Sequence, residues 1–188
     1  TTIYNKKIFL TGHNGMLGKE TEKLLRLNNF NNIITASKIE LDLRSQNEVD
    51  EFFKRERPNV VIHLAAKVGG INANVTYPAD FIYDNLVIQT NVINSSRIYN
   101  VENFIFIGSS CIYPASSPQP MAEDYLMDGK LEPTNEGYAI SKIAGIKLLE
   151  AFKKQYDFNS VCLMPSNLYG PNDSFDPKYS HVLSALVK

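Results

Sequence analysis

The chain has 188 residues, of which 44% are hydrophobic and 21% are charged, the composition of an ordinary folded domain. Its 19 basic and 20 acidic residues leave a formal net charge of −1, so no overall field would draw it onto nucleic acid or an anionic membrane. No apolar run approaches the roughly 20 residues of a membrane-spanning helix. Two cysteines, Cys111 and Cys162, do not make a disulfide framework and favour a reducing cytoplasm.

Short apolar runs alternate with amphipathic stretches along the whole chain. The apolar runs predict strands at Lys7–Thr11, Ile33–Ala36, Val60–Leu64, Phe104–Ile107 and Ser160–Met164. Helices are predicted up to about Leu27, from the Ser45 cap toward Arg55, from Asp80 to about Tyr99, and around Tyr138. Continuously apolar strands are typical of a parallel sheet that helices cover on both faces. The alternation therefore predicts an α/β fold, a Rossmann-type doubly wound parallel sheet.

A glycine-rich turn follows the first predicted strand, with the sequence Gly12-His13-Asn14-Gly15-Met16-Leu17-Gly18. Glycines between a strand and a helix permit a tight turn and bring the backbone close to a pyrophosphate at the helix N-terminus. The spacing G-x-x-G-x-x-G is shifted from G-x-G-x-x-G, and a merely structural turn is the alternative. The position at the start of an α/β chain favours dinucleotide binding.

The end of the second strand indicates which dinucleotide would bind. An acid there would accept from the adenosine ribose 2′-hydroxyl and favour NAD. The chain instead has Ala36, Ser37 and Lys38, whose hydroxyl and ammonium suit a 2′-phosphate, so NADP is favoured unless Lys38 is simply solvated. Asp42, which Leu43 follows, could bond the adenine amino group or form the turn before a helix.

Tyr138 and Lys142 lie four residues apart in a predicted helix, so their side chains share one face. An ammonium beside a phenol lowers the pKa of the phenol from about 10 toward the working pH. Such a phenol can give a proton to a carbonyl oxygen as hydride arrives. Alone the pair could be a surface pair. Ser109, after the Phe104–Ile107 strand, could donate to the same oxygen, although small hydroxyls are also common in turns.

Further side chains could face the same cleft. Cys111 follows Ser109 in a polar loop, where a thiolate could remove a proton from a carbon beside the carbonyl, and His181 could be the matching acid. Cys162, inside a strand, is expected to be a small buried hydrophobe. His63, inside an apolar strand, is expected to be a satisfied core histidine.

Longer segments carry a family resemblance: Ala65–Ile71, Thr76–Tyr83, Gly108–Pro114, Glu132–Glu136, Tyr138–Lys147 and Asn167–Pro171. With the glycine-rich turn, they resemble the extended short-chain dehydrogenase/reductases, and among these the enzymes of GDP-linked 4-keto-6-deoxy sugars. The resemblance implies NADPH-dependent epimerisation at C3 and C5 and reduction at C4, which would convert GDP-4-keto-6-deoxy-D-mannose to GDP-L-fucose. Another GDP-sugar such as a heptose, reduction without epimerisation, and a dinucleotide sensor without turnover stay open.

The resemblance also implies roles for single residues. Ser109, Tyr138 and Lys142 would form the reductase triad, with Cys111 as the epimerisation base and His181 as the acid. Further cofactor contacts are expected at Leu64, Ala65, Ala66, Ile107, Gly108, Pro165, Asn167, Leu168 and His181. The family usually carries arginine near the second strand, where this chain has Ala36 and Lys38, so a weaker 2′-phosphate clamp is expected. Family members are typically homodimers, with the Tyr138 helix at the interface, and no metal site is expected.

The domain boundary is predicted near residue 170. Residues 1–170 are expected to form the NADP-binding Rossmann domain with the catalytic residues. Residues 171–188 are expected to begin a smaller nucleotide-sugar domain that is largely absent from this chain. The chain starts without methionine, and His181–Lys188 resembles the start of a helix, so we expect a part of a longer protein. The segment Pro114–Pro133 is expected to be an exposed loop beside the site.

Overall fold

The computed structural model describes residues 3–173. Its strands are β1 (Ile8–Thr11), β2 (Ile33–Ile34), β3 (Val60–His63), β4 (Asn103–Ile107) and β5 (Ser160–Leu163). They form one parallel sheet in the order β2-β1-β3-β4-β5. The chain moves outward from β1 to β2 and then returns to place β3 on the other side of β1, so the strand order reverses between β1 and β3. The predicted Rossmann-type doubly wound sheet is confirmed.

The helices cover the crossovers between these strands. They are α1 (Met16–Leu27), α2 (Gln46–Glu56), α3 (Ile71–Thr76), α4 (Pro78–Ile98) and α5 (Glu136–Tyr156). The predicted Ser45 cap is confirmed, because its side chain accepts from the amide of Glu48. The short α3 was not predicted, and Pro78 at the start of α4 separates the two helices. None of the helices within residues 3–173 is long and apolar enough to cross a membrane.

The second strand is shorter than predicted. It pairs with β1 only at Ile33 and Ile34, whereas the prediction extended to Ala36. The chain turns at Ser37, because the amides of Glu40 and Leu41 both donate to the Ser37 carbonyl. The bounds of the other predicted strands differ from the observed ones by a single residue.

Alternate strand residues divide the core between the two faces of the sheet. Phe9, Phe104 and Phe106 are at most 1% exposed and belong to the larger cluster, which also takes in buried residues of α2, α4 and α5. Leu10 and Ile62 belong to a smaller cluster, into which Leu25 of α1 packs. Burying each large apolar side chain contributes roughly 1.5–3 kcal/mol, so the sheet gives a firm base to the loops at its carboxyl edge.

Close packing of α5 brings its first turns to the end of β4. A Cβ on Gly145 would lie 2.6 Å from Cζ of Phe106, so only a glycine lets the helix approach the sheet this closely. Gln89 of α4 donates through Nε2 to the Ser141 carbonyl at 2.5 Å. These contacts place Tyr138 and Lys142 near the carboxyl edge, where ligands bind in open α/β sheets.

Candidate active site

The glycine-rich turn packs directly against the loop that follows β3. Gly12 has φ +72°, and a Cβ there would lie 2.8 Å from the backbone nitrogen of Ala65. A Cβ on Gly18 would lie 2.1 Å from the Gly12 carbonyl oxygen. The helix α1 starts after Gly15 with no side-chain cap, so its first amides are left for an anionic group. The turn therefore has the tight backbone and the uncapped helix start that phosphate binding requires, and the binding of a dinucleotide by these residues stays a prediction.

Thr11 fastens this turn to the end of β3. Its hydroxyl oxygen accepts from the amides of Leu64 and Ala65, each at 3.1 Å. The remaining hydroxyl hydrogen is directed to His63 Nδ1, 3.0 Å away. His63 is 0% exposed, and burial lowers its pKa to about 3, so the ring is neutral and Nδ1 accepts. His63 is thus buried in the core as predicted, but it is not the satisfied histidine that was expected, because its Nε2 is buried and has no hydrogen-bond partner among residues 3–173.

The turn after β2 contains an acid that the sequence analysis did not consider. Glu40 accepts from the amide of Ser37 at 2.7 Å, and this bond lowers the pKa of the Glu40 carboxyl. Its carboxylate therefore shapes the turn. Lys38 is exposed beside it, a position from which an ammonium can reach a phosphate. An acid at the end of the second strand is usually found by counting residues from the glycine-rich turn. Here the chain turns at Ser37, so the acid, Glu40, lies a few residues later than that count predicts.

Asp42 forms a turn, as one of its two predicted roles requires, and its bond to the adenine amino group stays a prediction. Its Oδ1 accepts from the amide of Arg44 at 3.0 Å, and its Oδ2 accepts from the Arg44 guanidinium at 2.7 Å. The guanidinium lowers the pKa of Asp42 to about 2. The adjacent Leu43 is held by its carbonyl, which accepts from Asn91 Nδ2 at 3.0 Å. The Asp42–Leu43 segment is thereby fixed against α4.

Lys142 lies buried at the end of β4. Its ammonium donates to the Ile107 carbonyl at 2.8 Å and lies 4.8 Å from the centroid of the Phe106 ring. Only 3% of the residue is exposed, and this burial lowers the pKa of Lys142 to about 8. The ammonium lies 5.7 Å from the centroid of the Tyr138 ring, which confirms that the two side chains share a helix face.

The predicted effect of Lys142 on the Tyr138 phenol is wrong for this arrangement. The pKa of Tyr138 is raised, first by burial and then by the nearby Cys111 thiol. The ammonium lies near the face of the Tyr138 ring and donates to the Ile107 carbonyl. It therefore does not offset the desolvation of the phenolate. The phenol is held protonated, which is the state a proton donor needs.

Ser109 and Cys111 complete the cluster at the end of β4. Ser109 caps a short 3-10 turn, Ser110–Ile112, by accepting from the amide of Cys111 at 3.4 Å. Burial raises the pKa of the Cys111 thiol, while a hydrogen bond with Ser109 and the charge of Lys142 act in the opposite direction. The structure therefore brings Ser109, Cys111, Tyr138 and Lys142 into one electrostatically coupled group.

The remaining predicted residues divide into three sets. The half-buried residues are His13, Met16, Leu17, Leu64, Ala65, Ala66, Ile107 and Pro165, and Gly108 is fully buried. Exposed residues are Asn14, Gly15, Asn167 and Leu168. Pro165 is drawn to the cluster because its carbonyl accepts from Ser110 at 3.2 Å. His181 lies outside the described residues. Pro114–Pro133 is mostly exposed, as predicted, although Pro114 itself is buried.

Two buried amides of α4 support the site and were missed by the sequence analysis. Asn85 accepts from the amide of Lys67 at 2.7 Å and donates to its carbonyl at 3.0 Å. This pair of bonds fixes the loop that follows β3. Gln89 makes the contact to α5 described above. Both residues lie on the buried face of α4, at helical spacing from the apolar residues Phe81, Val92 and Ile93, and this spacing is the signal that could have identified them.

Known proteins resemble this chain closely. GDP-L-fucose synthase 1 of Arabidopsis thaliana is 52% identical over 97% of the chain and 56% of its own length. A GDP-D-glycero-L-gluco-heptose synthase of Campylobacter jejuni, crystallised in the presence of NADPH, has a TM-score of 0.94 and 40% identity, covering 100% of this chain and 55% of its own. A GDP-mannoheptose C4 reductase of Campylobacter jejuni with NADP bound gives a TM-score of 0.87 and 40% identity, over 90% of this chain and 54% of its own.

The chain thus spans about half the length of the relatives that it matches. A family model for the NAD dependent epimerase/dehydratase family matches residues 8–188. Nearly the whole chain is covered, including the glycine-rich turn and the Ser109, Tyr138 and Lys142 cluster. The chain therefore belongs to the NAD dependent epimerase/dehydratase family.

Proposed function

We propose that the protein is a GDP-L-fucose synthase. It takes NADPH and GDP-4-keto-6-deoxy-D-mannose, epimerises C3 and C5, and reduces C4 to give GDP-L-fucose. The observation that carries this proposal is the clustering of a protonated phenol, a hydroxyl, an ammonium and a thiol at the end of β4. The 52% identity to the Arabidopsis thaliana enzyme supports it.

The glycine-rich turn and Lys38 hold the cofactor in this proposal. The free amides at the start of α1 bind the pyrophosphate, and the exposed Lys38 ammonium faces the 2′-phosphate. NADPH, when bound, supplies the hydride for C4. A lysine is a point charge on a flexible stem rather than a planar fork, so a single Lys38 gives a weaker phosphate clamp than an arginine would.

Two half-reactions use the same carbonyl. Ser109 and Tyr138 donate to the C4 oxygen, which makes the protons at C3 and C5 acidic and stabilises the enolate that forms when one leaves. Cys111 removes these protons, and His181 returns them on the opposite face. Tyr138 then protonates the C4 oxygen during reduction. Lys142 keeps a positive charge beside the phenol while Tyr138 gives up its proton.

The electrostatics support this division of work. Cys111 needs a thiolate to act as a base, and burial raises the pKa of its thiol, so proton abstraction is favoured at higher pH. Lys142 has a pKa of about 8, so its charge is lost as the pH rises through that value. Exchange at C3 and C5 is therefore expected to tolerate alkaline pH better than the reduction at C4.

A C4 reductase or an epimerase/reductase of a GDP-heptose is the second candidate. The GDP-D-glycero-L-gluco-heptose synthase and the GDP-mannoheptose C4 reductase of Campylobacter jejuni each share 40% identity with this chain. This likeness supports a GDP-heptose as the alternative substrate. Both candidates share the carbonyl chemistry and differ in the sugar. The product formed from each GDP-4-keto sugar decides between them.

The wider organisation is part of the proposal. Residues 1–170 form the NADP-binding domain, and residues 171–188 begin the nucleotide-sugar domain. The protein works as a homodimer through the face of α5, in the cytoplasm.

Turnover in deuterated water tests the proposal on the full-length protein. With NADPH and GDP-4-keto-6-deoxy-D-mannose, we expect NADPH oxidation and deuterium at C3 and C5 of the product. Cys111→Ser should abolish the deuterium exchange and keep hydride transfer to a pre-epimerised substrate. Cys162→Ser is the matched control, since Cys162 is also half-buried but lies in β5, with Glu150 as its charged neighbour. Equal loss of both activities in Cys111→Ser would refute the role of Cys111.

A further inference from the structure

Two loops flank the glycine-rich turn at the carboxyl edge of the sheet. The β2 loop (residues 35–45) follows β2, and the β3 loop (residues 64–70) follows β3. The strands β2 and β3 pair with opposite edges of β1, so the loops lie on opposite sides of the turn that follows β1. In folds of this kind the adenosine half of a dinucleotide lies at the end of the second strand. Both loops are therefore placed to border it.

The backbones of both loops are fixed to the helix α4. Asn85 accepts from the amide of Lys67 in the β3 loop at 2.7 Å. One and a half turns further along the helix, Asn91 donates to the carbonyl of Leu43 in the β2 loop at 3.0 Å. Each of these bonds joins one loop to α4, and neither joins the two loops to each other.

Asp84 joins side chains of the two loops. Its Oδ2 accepts from Lys67 Nζ of the β3 loop at 3.0 Å, and its Oδ1 accepts from Arg44 Nη1 of the β2 loop at 3.5 Å. The Asp84 side chain is only 17% exposed, whereas those of Lys67 and Arg44 are 34% and 39% exposed. A carboxylate can accept a separate donor on each oxygen. One largely buried charge therefore bridges a cation from each loop.

Arg44 extends this bridge to Asp42. Its Nη2 donates to Asp42 Oδ2 at 2.7 Å, on the other side of the guanidinium from Asp84. Positive and negative charges thus alternate from Lys67 through Asp84 and Arg44 to Asp42, the residue predicted to bond the adenine amino group. A single exposed ion pair contributes little, but partly buried charges are screened less. The alternating network fixes the spacing of the two loops.

We propose that Asp84 is a positioning residue for the adenosine half of the cofactor, because it holds the β2 loop and the β3 loop at a fixed spacing on either side of the glycine-rich turn. The inference rests on the proposed function for the identity of the cofactor as NADP. Asp84 acts through Lys67 and Arg44, away from the reacting groups at the end of β4. Loops that are already ordered lose less entropy when a ligand binds, so the bridge tightens binding without adding a contact.

The charge of Asp84 acts in the opposite direction from the bridge. A carboxylate repels the phosphates of an adenosine ligand, so its removal would tighten binding if charge were all that mattered. Loss of the bridge instead weakens binding, because the two loops are no longer held together. The two effects differ in sign, and a measured affinity therefore separates them.

Calorimetric binding of 2′,5′-ADP to the full-length protein tests the inference. This ligand has the adenosine half and the 2′-phosphate but no nicotinamide, so its binding requires neither the sugar nor turnover. Asp84→Asn keeps the shape of the side chain, but its nitrogen cannot accept. The dissociation constant for 2′,5′-ADP should rise about 3- to 10-fold, the size expected when two partly exposed ion pairs are lost. The KM for NADPH should rise by a similar factor, while kcat at saturating NADPH stays unchanged.

Asp80→Asn is the matched control. Asp80 also pairs with Lys67, at 2.9 Å, but its side chain is 60% exposed and, within residues 3–173, it makes no ion pair with Arg44. The same charge is removed, so 2′,5′-ADP should bind to Asp80→Asn as tightly as to the wild type or more tightly. A thermal melt checks that each variant is folded. Asp84→Ala removes both contacts of the bridge and should lose at least as much affinity as Asp84→Asn.

Unchanged or tighter binding of 2′,5′-ADP by Asp84→Asn and Asp84→Ala would overturn the inference. An equal loss of affinity in Asp80→Asn would do so as well, and so would a wild-type protein that does not bind 2′,5′-ADP. Turnover of the 4-keto sugar is scored separately. Failure of the proposed sugar chemistry is therefore distinguished from failure of the Asp84 bridge.

Discussion

At the edge formed by β1 and β3, Thr11 uses both lone pairs and its hydrogen to tie two loops together. At the end of β4, by contrast, Tyr138, Lys142 and Cys111 are largely buried and their pKa values are displaced by that burial. In the first region the Thr11 hydroxyl makes every hydrogen bond that it can, whereas the second region keeps several titratable groups whose charged forms are costly to bury. Under the proposed function, the first region positions the cofactor and the second carries out the chemistry, in keeping with the displaced pKa values of the second region.

Replacing the phenol should have the largest effect. Tyr138→Phe removes the proton donor but keeps the ring beside the Lys142 ammonium, so the rate of C4 reduction should fall about 10²- to 10⁴-fold. Thermal stability should stay close to that of the wild type. Steady-state NADPH oxidation and a thermal melt measure the two. Turnover equal to that of the wild type would favour a protein that senses the dinucleotide without using it.

Replacing Thr11 should act on stability instead. Thr11→Val keeps the shape of the side chain but leaves the amides of Leu64 and Ala65 without their acceptor. Each stranded amide costs about 1–3 kcal/mol. Urea unfolding measures the loss. Thr76→Val is the control, because that hydroxyl is exposed and bonds only within α3; a similar loss in both variants would remove the special role of Thr11.

Acid should weaken the first region through His63. The folded protein holds the ring neutral down to a pKa of about 3, whereas the ordinary pKa of a histidine is 6.5. Below pH 6.5 the unfolded chain therefore binds a proton that the folded chain does not, and stability falls by up to about 1.4 kcal/mol per pH unit. Urea unfolding between pH 7.5 and 5 checks this. His63→Gln should flatten the slope, and a slope that persists unchanged in that variant contradicts the assignment.

A surface ion pair gives the smallest expected effect and the baseline for the others. Lys147 and Glu150 meet at 2.9 Å on α5, with about half of each side chain exposed. Such pairs contribute roughly 0.2–1 kcal/mol, so Glu150→Ala should change stability by no more than this. Both activity and the pH slope should be unaffected. A larger loss of stability would contradict the view that the buried contacts of the two regions matter more than the exposed surface of α5.

The grouping of Ser109, Cys111, Tyr138 and Lys142 was predictable from sequence because its parts follow local rules. The interval between Tyr138 and Lys142 places them on one helix face, and Ser109 and Cys111 follow a recognisable strand. The direction of the Tyr138 pKa was not predictable. It depends on how deeply α5 packs onto β4, and on the choice of the Ile107 carbonyl as the partner of the ammonium. Both are contacts between residues far apart in sequence.

A small pocket that Tyr138 lines, between α3 and the turn before α5, was also not predictable from the sequence. Asn74 and Asn135 lie more than 60 residues apart in the chain, and neither belongs to a motif that spacing could reveal. They share a wall only because the short helix α3, which periodicity did not predict, packs against the turn before α5. A six-residue helix is too short for an apolar period to be recognised.

The sequence by itself determined the doubly wound sheet, the glycine-rich turn and the residues of the β4 cluster. Strand and helix periodicities, turn glycines and helix-face spacing are local properties of the chain. Only the tertiary structure decided that Asp42 closes a turn, that Thr11 and His63 fasten two loops, and that Tyr138 stays protonated. Those outcomes depend on burial and on which distant polar groups meet, and desolvation acts only once the chain is folded.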